Sequence, residues 1–144
     1  MDIFSLELEQ YCLAGLLRHP ETFAEVDGII SENDFSSPLH KTIFGVIRQT
    51  LHNQEKLDKV LLAEKIDRFA LSFEDKISSV LDYLNNITLS QVKASVVKET
   101  AKELNALSLR RRIAEVGSSI AKSMLKTRES NPEKIVAEAD HIYS

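Results

Sequence analysis

The chain is poor in residues that break or staple a helix. Four glycines, three prolines and no tryptophan occur in 144 residues, so turn and strand signals are sparse. A single cysteine, Cys12, excludes an internal disulfide and a cysteine-based zinc cluster, and it fits a reducing compartment. At its position on the first helix, Cys12 reads as a small buried residue rather than a reactive thiol. No run approaches the roughly 18 consecutive apolar residues of a membrane span, and the opening MDIFSLELEQ has no basic leader before an apolar stretch. The expectation is a soluble, cytoplasmic protein without a membrane partner. The glycines at 15, 28, 45 and 117 stand alone, so no phosphate-cradling loop of the G-x-x-x-x-G-K-[ST] kind is present. H-E-x-x-H, G-x-S-x-G and calcium-loop spacings are also missing. No catalytic, cofactor or metal residues are therefore assigned, and this stretch of chain is not expected to be an enzyme.

The hydrophobic content of 43% is ordinary for a globular fold, and the length suits one domain with a real core. The net charge of −4 is unevenly spread. Residues 1–90 carry 8 Lys/Arg against 15 Asp/Glu, residues 91–128 carry 9 against 3, and residues 129–144 carry 1 against 4. An acidic front followed by a basic segment points to two parts meeting different partners.

Helix signals are frequent. Ser5 caps a first helix whose apolar face runs through Leu6, Cys12, Leu13, Leu16 and Leu17 to a stop near Arg18-His19, with Glu7 and Glu9 at its positive end. Pro20 starts a short second helix with Phe23, Val26 and Ile30, stopped by Gly28. In DFSSPLHKTIF (34–44), Ser37 is a natural N-cap and Pro38 fits the first helical position, with Leu39, Ile43, Val46, Ile47 and Leu51 forming a stripe behind them. His40 falls in the first turn of that helix. It reads as structural, capping the start or packing on Phe35, because no second histidine stands at ligand spacing and no base partner is evident. Asp58 caps a fourth helix through Ile66. Ser72 with Asp75 opens a fifth, striped by Ile77, Val80, Leu81, Leu84 and Ile87.

Beyond Ser90 the pattern changes. Residues 91–127 contain no proline and one glycine, which predicts a single helix of roughly 55 Å. Ser130-Asn131-Pro132-Glu133 then forms a capping box before a last helix with Ile135, Ala139, Ile142 and Tyr143 on one face. The expected architecture is all-α: a compact head of about five helices over 1–89, then a long antiparallel helical hairpin over 90–144. Such a hairpin is too apolar to stand alone, so pairing with another copy is expected. Arg110, Arg111 and Arg112 fan around the helix at about 100° per step and cannot all line one groove. No aromatic side chain is interleaved for base stacking. They read as a solvated face pairing with the acidic head, with contact to DNA phosphates or to a neighbouring subunit as alternatives.

The order of segments resembles a known family. LELEQYCLAGLLRHPE (6–21) is similar to the E-x-E-Q-x-x-L-x-G-L-L-x-x-P opening of DnaB-type bacterial replicative helicases, with Ala14-Gly15 where many members have two glycines. DFSSPLHKTIFGVIRQTL (34–51) resembles D-F-x-x-P-x-H-x-x-I-F-x-x-I-x-x-L, including His40 after Pro38. LDKVLLAEKI (57–66), DYLNNI (82–87), LRRRIAEVGSSIA (109–121) and IVAEADHIYS (135–144) follow in the family's order. The match departs at FEDKISSVLDYL, where a glycine pair is usual before Y-L, and at Leu61, where the family has threonine. These departures fit a divergent member, of phage or plasmid type.

The resemblance implies an N-terminal collar domain. Its hairpins would pair into dimers, three dimers would form a hexamer, and the collar would recruit the C-terminal domain of primase, with a helicase loader as a further partner. Ile113, Ile120, Met124 and Ile135 would then lie at positions for self-association or primase contact, or would pack the two hairpin helices together. ATP, magnesium and most DNA contact would belong to a motor domain beyond Ser144. Two other readings stay open: a free-standing phage or plasmid regulator of a host primase or helicase, and a nucleic-acid-binding module built on the basic helix.

Overall fold

The computed structural model describes residues 5–69 and 77–126, all of whose regular structure is helical. Six α-helices occur in order: α1 (Leu6–Arg18), α2 (Phe23–Val26), α3 (Pro38–His52), α4 (Lys59–Phe69), α5 (Ile77–Ile87) and α6 (Ala94–Lys126). Short 3-10 turns at Pro20–Thr22 and Glu32–Asp34 precede α2 and α3. The fold class is therefore all-α, with five helices ahead of one long one.

Local chemistry explains the helix starts. Ser5 Oγ accepts the Leu8 amide at 3.1 Å, and Ser37 Oγ accepts the His40 amide at 3.3 Å with Pro38 at the first helical position. Asp58 Oδ1 accepts the amides of Val60 and Leu61 at 2.8 and 3.1 Å, satisfying donors that no helical carbonyl reaches. α2 ends at Val26, so Ile30 is buried from the turn beyond it rather than from the helix. The capping pair at Ser72 and Asp75 lies outside the described residues.

Packing joins these helices around one apolar core. Phe44 sits 5.1 Å from Phe35 and 6.0 Å from Phe23, ring centre to ring centre, in tilted pairs. Leu13, Leu16, Ile43, Ile47, Leu62, Ile66 and Leu84 are fully enclosed around them. α4 packs chiefly on α5 and on α3. Gly15 faces Val92, ahead of α6, and Val97 in its first turn. A Cβ there would lie 2.7 Å from Val97 Cγ2 and 3.1 Å from Val92 Cγ1, so a larger residue would force the valines to shift.

The chain divides into two compact units, residues 1–108 and residues 109–144. The first is longer than the 1–89 head expected from the sequence. Val92, Val97, Ala101 and Leu104 belong to its core, so the opening turns of α6 are part of the head rather than a free hairpin arm. In the second unit, α6 runs on through Lys126. The expected return arm over 130–143, with Ile135, lies outside the described residues.

Candidate functional site

Two constellations stand out, one sealed in the first unit and one open on the second. The sealed one centres on Glu9. This carboxylate lies on the buried face of α1, four residues before Leu13, and is 1% exposed. It faces the start of α3. Ser36 donates to Oε2 through its amide at 2.9 Å and its hydroxyl at 2.6 Å, and the Ser37 amide donates to Oε1 at 3.3 Å. His40, 2% exposed, places Nδ1 at 2.8 Å from Oε1. The carboxylate therefore serves as a second cap for α3, supplied from another helix and favoured by the positive end of α3's dipole.

The other ring nitrogen extends the chain. His40 Nε2 lies 2.5 Å from the Tyr83 hydroxyl of α5, which in turn accepts from Gln10 Nε2 at 2.9 Å. One assignment of protons satisfies every group: Gln10 donates to Tyr83, Tyr83 donates to Nε2, and the Nδ1–H of a neutral imidazole donates to the Glu9 carboxylate. Burial by itself would raise the Glu9 pKa, but the hydrogen bonds from His40, Ser36 and Ser37 outweigh it and hold the group at about 2, against 4.5 ordinarily. Burial pushes the Tyr83 hydroxyl up, and the nearby Glu9 charge adds to this against the Gln10 bond. Glu9, His40 and Tyr83 resemble a relay, but Glu9 and His40 are too enclosed for a substrate atom to reach. The network ties α1, α3 and α5 together and is structural. His40 thus keeps its place at the start of a helix and on Phe35, with ring centres 6.5 Å apart. Sequence reasoning missed Glu9 and Tyr83 as its partners, although each stands on an apolar stripe where a polar side chain needs one.

The open constellation is an apolar stripe on the second half of α6. Leu109, Ile113, Val116, Ile120 and Met124 fall on one side at helical spacing. Leu109 and Ile113 are exposed, Ile113 to 57%, while Val116, Ile120 and Met124 are half-buried. The arginine run does not act as one surface. Arg110 and Arg112 are exposed but Arg111 is only 8% exposed, as the fanning of consecutive helical positions requires. Arg111 and Arg112 are each already engaged in a polar or electrostatic interaction. Cys12 is enclosed, and burial pushes its thiol up to about 12, against a bond to Thr100 that lowers it. Among the described residues no three His, Cys, Asp or Glu side chains gather as a metal site, and no helix is long and apolar enough to cross a membrane.

Comparison with known proteins bears on the fold. Residues 2–106 match the family model of the DnaB-like helicase N-terminal domain. The chain is 30% identical over 122 residues to the replicative DNA helicase DnaB of Buchnera aphidicola subsp. Baizongia pistaciae, covering 78% of this chain and 25% of that one. It is 26% identical over 136 residues to the replicative DNA helicase DnaB of Pasteurella multocida, covering 94% of this chain and 28% of that one. The chain thus spans about a quarter of the length of these relatives. In three dimensions it resembles the N-terminal domain of DnaB helicase from Mycobacterium tuberculosis with a TM-score of 0.82 at 21% identity, over 99% of this chain and 97% of that one, which speaks for the fold. Glu9, His40 and Tyr83, drawn from three segments that carry the resemblance, meet in the buried network. With the family model matched across most of its length, the chain belongs to the DnaB-like helicase N-terminal domains.

Proposed function

We propose that this chain is the self-associating collar of a hexameric replicative DNA helicase and a docking platform for primase during DNA replication, without catalysis of its own. The observation that carries the reading is the apolar stripe on the second half of α6, where Leu109 and Ile113 stand exposed on a helix whose first half is packed away. Exposed apolar residues on a long helix are suited to pairing with a second copy, as helix-on-helix burial of several such residues contributes roughly 1.5–3 kcal/mol for each large side chain enclosed. Dimers formed this way would join as a trimer of dimers. In a longer protein of this family, ATP and magnesium would be held by a motor domain that also makes the main DNA contacts, and a loader would act on the assembly in the cytoplasm. The nucleic-acid module has less support, because Arg111 is buried and Arg111 and Arg112 already have partners.

Light scattering across a concentration series tests the collar. Dimers growing towards hexamers are expected, and Ile120→Asp or Met124→Asp should return the chain to a monomer with its helical content unchanged. Wild-type mass in both variants would remove the stripe from the pairing surface. A strictly monomeric wild type would favour the free-standing regulator instead.

A further inference from the structure

A second surface, away from the α6 stripe in sequence and chemistry, sits in the first unit. A cleft of about 600 Å³ opens between the end of α1, the start of α4 and the turn after α5, with Leu17, Arg18, His19, Lys59, Thr88 and Leu89 in its lining. No carboxylate lines it. Arg18 Nη1 donates to the Thr88 carbonyl at 3.0 Å, and Lys59 Nζ donates to Thr88 Oγ1 at 3.2 Å. Thr88 is itself buried and fixed, its hydroxyl donating to the Leu84 carbonyl at 2.8 Å. Two cations distant in sequence are therefore held against one wall by neutral oxygens of a single residue. Among the described residues neither belongs to an ion pair. His19, whose Nε2 donates to the Val92 carbonyl at 2.7 Å, is 3.7 Å from a Glu21 carboxylate that is itself largely exposed.

Helix chemistry does not account for this placement. Lys59 is the first residue of α4, at the positive end of its dipole, where a basic side chain is disfavoured. Its position is explained by what it faces. Arg18 retains further N–H donors after its bond to Thr88, enough for a bidentate grip on a carboxylate, and Lys59 retains two. Beside them Leu89 stands 76% exposed, with Leu17 half-buried on the same lining. An apolar side chain set next to a carboxylate matches this pairing of walls.

We propose that the cleft captures an acidic, amphipathic peptide segment of a partner protein, its carboxylate held by Arg18 and Lys59 and its apolar side chain against Leu17 and Leu89. Field and lining favour a peptide over nucleic acid. Residues 1–90 carry seven more acidic than basic side chains, which repels a polyanion at long range while leaving a local cation pair able to take one carboxylate. No Phe, Tyr or Trp ring lines the cleft for base stacking.

The test is a two-dimensional NMR titration of the whole chain with a short synthetic peptide of leucine and glutamate at helical spacing. Saturating shifts are expected at the amides of Arg18, His19, Lys59 and Leu89. The same peptide with glutamine for glutamate should bind at least about tenfold more weakly, as should the double variant Arg18→Gln/Lys59→Gln. Leu89→Asp provides an independent variant, since a side chain so exposed has no part in folding, and it too should weaken binding by like-charge repulsion. Unmoved amides at millimolar peptide would overturn the proposal, as would equal binding of the glutamine peptide. Stronger, salt-sensitive shifts with oligothymidylate would reassign the cleft to nucleic-acid phosphate. Shifts at these amides on simple dilution of the chain would reassign it to a second copy.

Discussion

Residues 94–108 and residues 109–126 belong to the same helix, yet they are built for opposite surroundings. In the first stretch Val97, Ala101, Leu104 and Leu107 recur at helical spacing and all are buried, along with Thr100 and Ser108. In the second, Leu109 and Ile113 recur at the same spacing and are exposed. Periodicity alone does not separate the two stretches. What separates them is company: the first has α1 against it, with Gly15 close to Val92 and Val97, while the second leaves Leu109 and Ile113 exposed. A helical stripe states that something will cover it, and only tertiary structure states whether the cover comes from the same chain.

The strongest test of this contrast is truncation on each side of residue 108. Leu104→Ala should cost about 3 kcal/mol in denaturant unfolding by leaving a cavity in the core, whereas Ile113→Ala should change the stability of dilute protein by less than about 0.5 kcal/mol. Equal losses would mean that both stretches are packed alike.

Acid provides a probe confined to the first unit. The folded pKa of Glu9, about 2, lies below its ordinary 4.5, so the folded state binds fewer protons than the unfolded one. The stabilisation is complete above roughly pH 5 and is lost as pH falls towards 2, about 3 kcal/mol in all. Glu9→Gln should be less stable at pH 7 and show a flatter acid limb in pH-dependent unfolding. An unchanged limb would remove Glu9 as its source.

A gain rather than a loss is expected at the junction itself. Ser108 Oγ is enclosed and, among the described residues, is the buried side-chain polar atom without a hydrogen-bond partner. Ser108→Ala should therefore gain about 1 kcal/mol, by removing an unsatisfied hydroxyl and improving helix propensity. A loss measured by the same unfolding assay would show that the hydroxyl has a role at the boundary.

Much of this fold could be read from local signals. Ser5, Ser37-Pro38 and Asp58 announce helix starts because capping is settled within four residues, and each caps as expected. The all-helical class followed from the scarcity of glycine and proline. Fine boundaries were harder: α6 begins at Ala94 rather than Gln91, and α4 reaches Phe69 rather than Ile66. The extent of the head was read short because Val97 and Leu104 carry the same stripe that would suit a free hairpin. His40 was placed correctly on its helix, but its partners lie 31 and 43 residues away, beyond the reach of any spacing rule. The cleft at Arg18 and Lys59 was invisible for the same reason, since their shared partner Thr88 lies 70 and 29 residues away.

Those separations bear on how the chain folds. Glu9 cannot meet the amides of Ser36 and Ser37, nor His40 meet Tyr83, until α1, α3 and α5 have all been brought into place. Contacts that need so much loop closure are expected to form after the local helices. On that order the network would act as a latch on the finished structure. Glu9→Gln is expected to speed unfolding more than it slows folding, so the buried carboxylate governs how long the domain stays folded, more than how quickly it first forms.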